Sequence, residues 1–405
     1  MPYCCAGTRL ATADNGVKLF YRTYGHGPTK VLLIIGLAGT HESWRPQITG
    51  LTGTFTPNND ETDSVSWSSP EERCGCSYRS SYRGIQVCAF DNRGVGRSSV
   101  PTKKSDYTSK IMAKDAIALL DHLGWRKAHV FGHSMGAMIA CKLAAMVPDR
   151  VLSLALLNVT GGGWECFPKF DRQTLSIAYR FLKAKAPEER AAVDLETHYT
   201  KEYLEEYVGT SKRRTILFQQ YVKGISATGM QSNFGFEGQV NACWTHKITQ
   251  TEVDLIKSAG FPIAVIHGRH DIIAQIHYAR RLAERLQPMA RMVDLHGGHL
   301  VSHERAEEVN QTLLDLIKAS ELKMNAHDWT NLPKKKSWTE KKVLVSKSDI
   351  QVGSNVSLMS RLAEKLHLCL FYLFELLVLP IESGRKLLGS LKPVRVGSSP
   401  SYVYQ

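Results

Sequence analysis

The stretch Ala128-His129-Val130-Phe131-Gly132-His133-Ser134-Met135-Gly136, continued as far as Met146, decides the fold of this chain. Residues 128–131 read as a short strand, and residues 135–146 have the composition of a helix that ends before Pro148. Between them stands a G-x-S-x-G sequence. Its two glycines allow a sharp strand-to-helix turn at points where a side chain would strike the neighbouring strand or helix. Such a turn lifts the Ser134 hydroxyl out of the sheet and places its backbone at a helix N-terminus. The bare five-residue pattern recurs by chance, and it is the flanking strand and helix that make Ser134 a candidate nucleophile.

Outward from this turn the chain alternates apolar runs with helical patterns, as expected of β-α-β units around a mostly parallel sheet. Upstream strands are expected at residues 17–24, 31–35 and 85–90, and a downstream one at 152–157. Residues 31–35 form an unbroken apolar run, which suits a strand buried on both faces. Residues 109–123 carry apolar side chains at helical spacing and stop at Gly124, the pattern of a crossover helix. From 161 to 259 the strand signals vanish, and helical stretches at 172–184, 201–208 and 212–225 replace them. Strands resume at 263–266 and 291–295, and a last helix is expected at 304–319. The expected organisation is therefore a first part of an α/β core at 12–160, a helical cap at 161–259 and a second part of the core at 260–320. A basic linker and apolar helix follow at 321–405, and the polar segment 54–83 reads as a disordered surface loop.

A serine hydroxyl is protonated at neutral pH, so it needs a base within hydrogen-bond reach and an anion that holds the base in one tautomer. His267-Gly268-Arg269-His270-Asp271 follows the strand at 263–266, and Gly297-Gly298-His299 follows the strand at 291–295. Asp271 and His299 are thus the candidate acid and base. The chain holds 15 histidines, so neither residue is informative alone; their position after successive strands is. His133, His267, His270 and His296 are not assigned to proton transfer. An acyl-transfer site also needs oxyanion donors. The Met135 N–H, at the start of the helix, is one, and the Gly36-Leu37-Ala38-Gly39 loop supplies the other, with Leu37 the candidate. No metal and no cofactor is expected.

Together with Asp91-Asn92-Arg93-Gly94-Val95-Gly96-Arg97-Ser98, which is similar to a D-x-R-G-x-G-x-S turn after a fourth strand, these motifs resemble the α/β-hydrolase superfamily. The resemblance spans residues 12–317 apart from 54–83 and looks closest to the esterase and lipase-like branch, which includes aminoacrylate hydrolase-like enzymes. It implies an α/β-hydrolase fold, the chain order Ser134, Asp271, His299 for the triad, and a helical cap over residues 161–259 that shapes the acyl and alcohol pockets. It also implies a carboxylesterase- or lipase-like hydrolase that passes through an acyl-Ser134 intermediate on a hydrophobic small-molecule or lipid substrate. The aromatic residues of the cap, Trp164, Phe167, Tyr179, Phe181, Phe218, Tyr221, Phe234, Phe236 and Trp244, fit such a substrate. Where the family often has His-Gly at the oxyanion loop, this chain has Ile35-Gly36; only a backbone N–H is required there. A serine at 134 argues against epoxide hydrolases and haloalkane dehalogenases of this fold, which use Asp. Two alternatives share the motifs: a non-catalytic ligand-binding or receptor protein, and an acyltransferase.

Composition narrows the partners. The formal charge is +13, nearly half of it within residues 321–405, and no nucleic-acid motif accompanies it. Nine irregularly spaced cysteines fit a reducing compartment. No charged-then-apolar leader opens the chain, so an intracellular, cytoplasmic protein without a secretory signal is expected. Residues 366–379 are strongly apolar but short of the ~20 that a bilayer span needs. Basic residues flank them, so a peripheral contact of residues 362–395 with an anionic membrane surface is one expectation, beside docking on a partner or on the hydrolase core itself.

Overall fold

Runs that are apolar on both faces need cover on both sides, and the computed structural model supplies it with an eight-stranded sheet between two helical layers. It describes residues 9–13, 16–58, 84–169 and 171–332. The strands are β1 (Leu10–Thr12), β2 (Lys18–Tyr24), β3 (Thr29–Ile34), β4 (Ile85–Phe90), β5 (Ala128–His133), β6 (Val151–Leu157), β9 (Ile263–Gly268) and β10 (Ala290–Leu295). Their order across the sheet is β1-β2-β4-β3-β5-β6-β9-β10. The β1–β2 and β2–β4 pairs are antiparallel, and every other pair is parallel.

The period of two in β3 divides its side chains between the two cores. Leu32 and Ile34 join one cluster and Val31 and Leu33 the other, all fully buried. The first cluster is roofed by α2 (Ser109–His122), α3 (Met135–Met146), α9 (Gln250–Ser258) and α10 (Ile276–Arg285), the second by α1 (Arg45–Thr52), α12 (Ala306–Glu321) and α13 (Ala326–Thr330). Eleven of the twelve residues of α3 are buried, because it packs on β5, β6, α2 and α9 at once. A helix in that position must be apolar nearly all round, and α3 is. Its one charge, Lys142, is neutralised where it lies, donating to Glu252 Oε1 at 2.6 Å and to Lys247 O at 2.6 Å.

Between β6 and β9 the helical insertion holds α4 (Arg172–Lys183), α5 (Pro187–His198), α6 (Lys201–Glu205), α7 (Arg213–Thr228), α8 (Asn233–Thr245) and α9. The structure departs from the sequence reading here. The helix expected at 201–208 ends at Glu205, and a hairpin of β7 (Tyr207–Val208) and β8 (Ser211–Lys212) turns the chain through Gly209 at φ 62°. Helices α5, α8 and α9 had no separate reading. Helix α8 contains Gly235 and Gly238, poor helix formers, and depends on tertiary packing rather than propensity. The start of the segment expected to be disordered is packed: Phe55 stacks on Tyr24 at 5.3 Å, the Arg45 guanidinium lies over its ring, and Pro57 bridges to Tyr24. The rest of that segment, 59–83, lies outside the described residues, as do residues 333–405 of the basic linker and apolar helix; residues 326–330, expected as linker, instead form α13 and bury Trp329 in the second core. Among the described residues no helix is long and apolar enough to cross a membrane.

Candidate active site

The C-terminal ends of four parallel strands come together at one edge of the sheet, the usual place for a site in such a fold. Ser134 follows β5, Asn158 follows β6, Asp271 lies on the turn after β9 and His299 on the turn after β10. Ser134 sits between β5 and α3 with φ 56° and ψ −121°, a conformation that costs a non-glycine residue on the order of 1–3 kcal/mol. The surroundings enforce it. Its N–H donates to Leu157 O at 2.8 Å, and its C=O accepts the Ala137 N–H at 2.9 Å. A Cβ on Gly132 would collide with the Gly136 carbonyl, and one on Gly136 with the carbonyl of Ile34, so both positions exclude side chains.

The three side chains picked from the sequence meet. Ser134 Oγ lies 3.1 Å from His299 Nε2, and His299 Nδ1 lies 2.8 Å from Asp271 Oδ2. Asp271 is buried, which alone pushes its carboxyl up; the His299 ring, with His267 and the Asn158 amide, outweighs burial and holds it down at about 2. Its other oxygen, Oδ1, accepts the Ile273 and Ala274 N–H groups at 2.8 and 2.9 Å. A carboxylate so bonded keeps its charge and orients the imidazole through Nδ1–H, leaving Nε2 as the acceptor that faces the serine.

The oxyanion candidates flank Ser134. Met135 is the first residue of α3, where a backbone N–H has no intrahelical acceptor. On the opposite side the 36–39 loop presses against the serine, for a Cβ built on Gly36 would lie 3.0 Å from Ser134 Cβ. Leu37 is half-buried at the turn of that loop, which the Gly39 N–H closes onto Gly36 O at 3.3 Å.

Several supporting residues escaped the sequence reading. Asn158, with φ 49°, donates from Nδ2 to Asp271 Oδ2 at 2.7 Å and to Gly298 O at 3.3 Å, tying the acid to the histidine turn. Its position directly after a core strand was the available signal. Glu304 is a buried carboxylate that accepts the Gly298 N–H at 2.9 Å and the Thr200 N–H and hydroxyl at 2.8 Å each, so it joins the histidine turn to the insertion. His198, at the end of α5, stacks its ring on His299 at 6.1 Å, and its carbonyl accepts the Leu300 N–H at 2.9 Å. Burial and the neighbouring imidazoles pull His198 down to about 3.

The four histidines left unassigned are structural in this arrangement. His133 donates from Nε2 to the His299 carbonyl at 2.9 Å, and burial, with the His299 ring beside it, lowers it to about 3. His267 Nε2 donates to Ala274 O at 2.7 Å, and His270 and His296 pair at the surface at 2.9 Å. Asp91, which opens the D-x-R-G-x-G-x-S turn, braces the loops by accepting the His41 N–H at 2.8 Å and the Arg97 N–H at 3.0 Å. Of the aromatic residues expected around an apolar pocket, Trp164, Tyr179, Phe234 and Trp244 are exposed. Phe218 and Tyr221 instead pack against Leu195, Tyr199 and Leu204 in a small cluster that includes Leu300, next to His299. Among the described residues no group of three or more His, Cys, Asp or Glu side chains is arranged to hold a metal ion.

A family model for the alpha/beta hydrolase fold matches residues 30–306. A RutD protein of Azorhizobium caulinodans, provisionally named a carbamate hydrolase, is 25% identical over 317 residues, covering 78% of this chain and 97% of that protein. Among solved structures, an enol-lactonase from Burkholderia xenovorans superposes with a TM-score of 0.57 at 23% identity over 76% of this chain and all of its own. A thermophilic esterase from Thermogutta terrifontis superposes with a TM-score of 0.55 at 20% identity over 78% of this chain and 99% of its own. At these identities the two structures speak for the fold.

Proposed function

Because this chain belongs to the α/β-hydrolase fold family, we propose that it is a serine hydrolase that cleaves an ester or related acyl bond of an apolar small molecule or lipid. In this reading Ser134 is the nucleophile, His299 the general base and Asp271 the acid that orients it. The Ser134 hydroxyl gives its proton to His299 Nε2 as Oγ attacks the substrate carbonyl. The tetrahedral oxyanion is met by the Met135 and Leu37 N–H groups, each donor worth on the order of 3 kcal/mol in the transition state. Collapse of that intermediate expels the alcohol, which takes the proton back from His299 and leaves acyl-Ser134. Water, activated by the same imidazole, then releases the acid.

The observation that carries the reading is the relay of 3.1 and 2.8 Å from Ser134 through His299 to Asp271. The RutD relative, provisionally named a carbamate hydrolase, bears a name that refers to cleavage at an acyl carbon, which favours acyl chemistry here. The insertion, acting as a cap, packs apolar side chains such as Phe218 and Tyr221 into a cluster with Leu300, beside His299, a setting that suits an apolar substrate. The test is labelling of the purified protein by a fluorophosphonate probe and turnover of a series of short- and long-chain acyl esters. Wild type labels and turns over; Ser134→Ala loses the label and at least ~1,000-fold in kcat. A folded wild-type sample that neither labels nor hydrolyses would sink the hydrolase reading in favour of a ligand-binding protein. Products formed with added alcohol acceptors separate hydrolysis from acyl transfer.

A further inference from the structure

Helix α8 buries a glutamine among the apolar residues that face the core. Gln239 is fully buried, and both ends of its amide are engaged. Oε1 accepts the Ala38 N–H at 2.8 Å, and Nε2 donates to the Arg93 carbonyl at 2.9 Å. These partners are backbone groups of two loops that leave neighbouring strands, β3 and β4. A side chain from the insertion therefore bridges two loops of the core.

Ala38 is where the bridge matters. Among the described residues four non-glycine positions have positive φ: Ala38 at 61°, Ser134 at 56°, Asn158 at 49° and Lys323 at 50°. Three of the four belong to the serine site, where backbone strain commonly gathers. Leu37 and Ala38 are the central residues of the four-residue turn closed by Gly39 N–H and Gly36 O, and a positive φ at the third residue of such a turn ordinarily calls for Gly. Alanine holds it here with its N–H fastened to Gln239. The peptide between Leu37 and Ala38 is the one fastened, and it adjoins the Leu37 N–H.

We propose that Gln239 is a positioning residue for the oxyanion loop: its amide pins the 37–38 peptide and thereby keeps the Leu37 N–H directed at the position where negative charge develops. The proposal rests on the hydrolase reading above. It makes the helical insertion part of the catalytic apparatus as well as a cover for it. Without the tether Ala38 relaxes to negative φ, the 36–39 turn changes type and the loop shifts, so the neighbouring 36–37 peptide that carries the Leu37 N–H moves out of line in the transition state while substrate binding is kept.

The full-length chain, wild type and Gln239 variants, tests this with acyl-ester kinetics and with hydrogen exchange read by mass spectrometry on a peptide covering residues 36–40. Gln239→Leu lowers kcat ~10- to ~100-fold with KM within about twofold, and it accelerates exchange in residues 36–40. Gln239→Glu keeps the shape of the side chain. Protonated or ionised, it still accepts the Ala38 N–H, and only the protonated form also donates to the Arg93 carbonyl, so this variant keeps kcat and exchange at 36–40 closer to wild type than Gln239→Leu does, and its kcat relative to wild type declines as pH rises. Folded Gln239→Leu protein with kcat within twofold of wild type and unchanged exchange at 36–40 overturns the proposal. If wild type turns over no ester, the hydrolase reading fails by itself, and exchange at 36–40 still decides whether Gln239 holds the loop.

Discussion

At the scale of single residues, Asp271 is the most heavily hydrogen-bonded member of the Ser134–His299–Asp271 chain. Asp271 accepts from Ile273, Ala274, Asn158 and His299, and the Asn158 side chain is the one of these that substitution can remove without touching the relay. Asn158→Ala takes away a bond to a charged group, worth about 1.5–3 kcal/mol, and lets the Asp271 carboxyl rise toward its ordinary value. We expect kcat to fall ~10-fold or more with little change in KM; an Asn158→Ala enzyme with wild-type kcat would mean that the amide plays no part in orienting Asp271. The depressed carboxyl also has a sign in stability. An Asp held at about 2 stabilises the fold fully above its unfolded value near 3.9, and that contribution is lost as pH drops toward 2. Ser134, Asp271 and His299 were legible in the sequence because each follows a strand in a short motif. Asn158 was not, since a lone Asn after a strand acquires meaning only when the turns after β9 and β10 lie beside it.

Between elements, the critical joint is the one that Glu304 makes between the start of α6 and the turn that carries His299. Its two oxygens satisfy two backbone N–H groups and one hydroxyl in a buried place. Glu304→Leu leaves those donors unpaired and should cost on the order of 3 kcal/mol, seen as a lower urea midpoint at unchanged slope. Glu304→Gln can accept both amides through its carbonyl oxygen while its NH₂ donates to the Thr200 hydroxyl. Its midpoint should therefore lie near wild type, and equal losses in the two variants would refute this account of the joint. The turn between β5 and α3 is as constrained, because Gly136→Ala would drive a methyl group into the Ile34 carbonyl. These helices and strands were legible from periodicity and punctuation. Helix α8 was obscured by its glycines, yet Gly235 and Gly238 are what let it approach Gly94 and Tyr107 so closely.

For the molecule as a whole, buried imidazoles set the response to acid. Burial lowers His129 to about 4 and His133 and His246 to about 3, against an unfolded value near 6.5. Each is neutral in the fold, so the stability it lends is complete above pH 6.5 and drains away as pH falls toward 3–4, where the unfolded chain binds protons that the native state refuses. The three together account for up to about 4 kcal/mol per pH unit at the steepest point. The melting temperature should therefore decline steadily from pH 6.5 to 5, and a flat profile over that range would contradict the burial of these rings. The amino-acid order by itself determined the α/β alternation, the apolar strands, the serine turn and the placing of Asp271 and His299 after successive strands, because these are properties of neighbours along the chain: periodicity, turn chemistry and strand-end placement. Only the tertiary structure decided which loops touch. The Gln239 bridge, the Glu304 joint and the Asn158 tie each link residues more than a hundred positions apart or across separate layers, and no local pattern encodes a hydrogen bond that exists only once the sheet has brought its ends together.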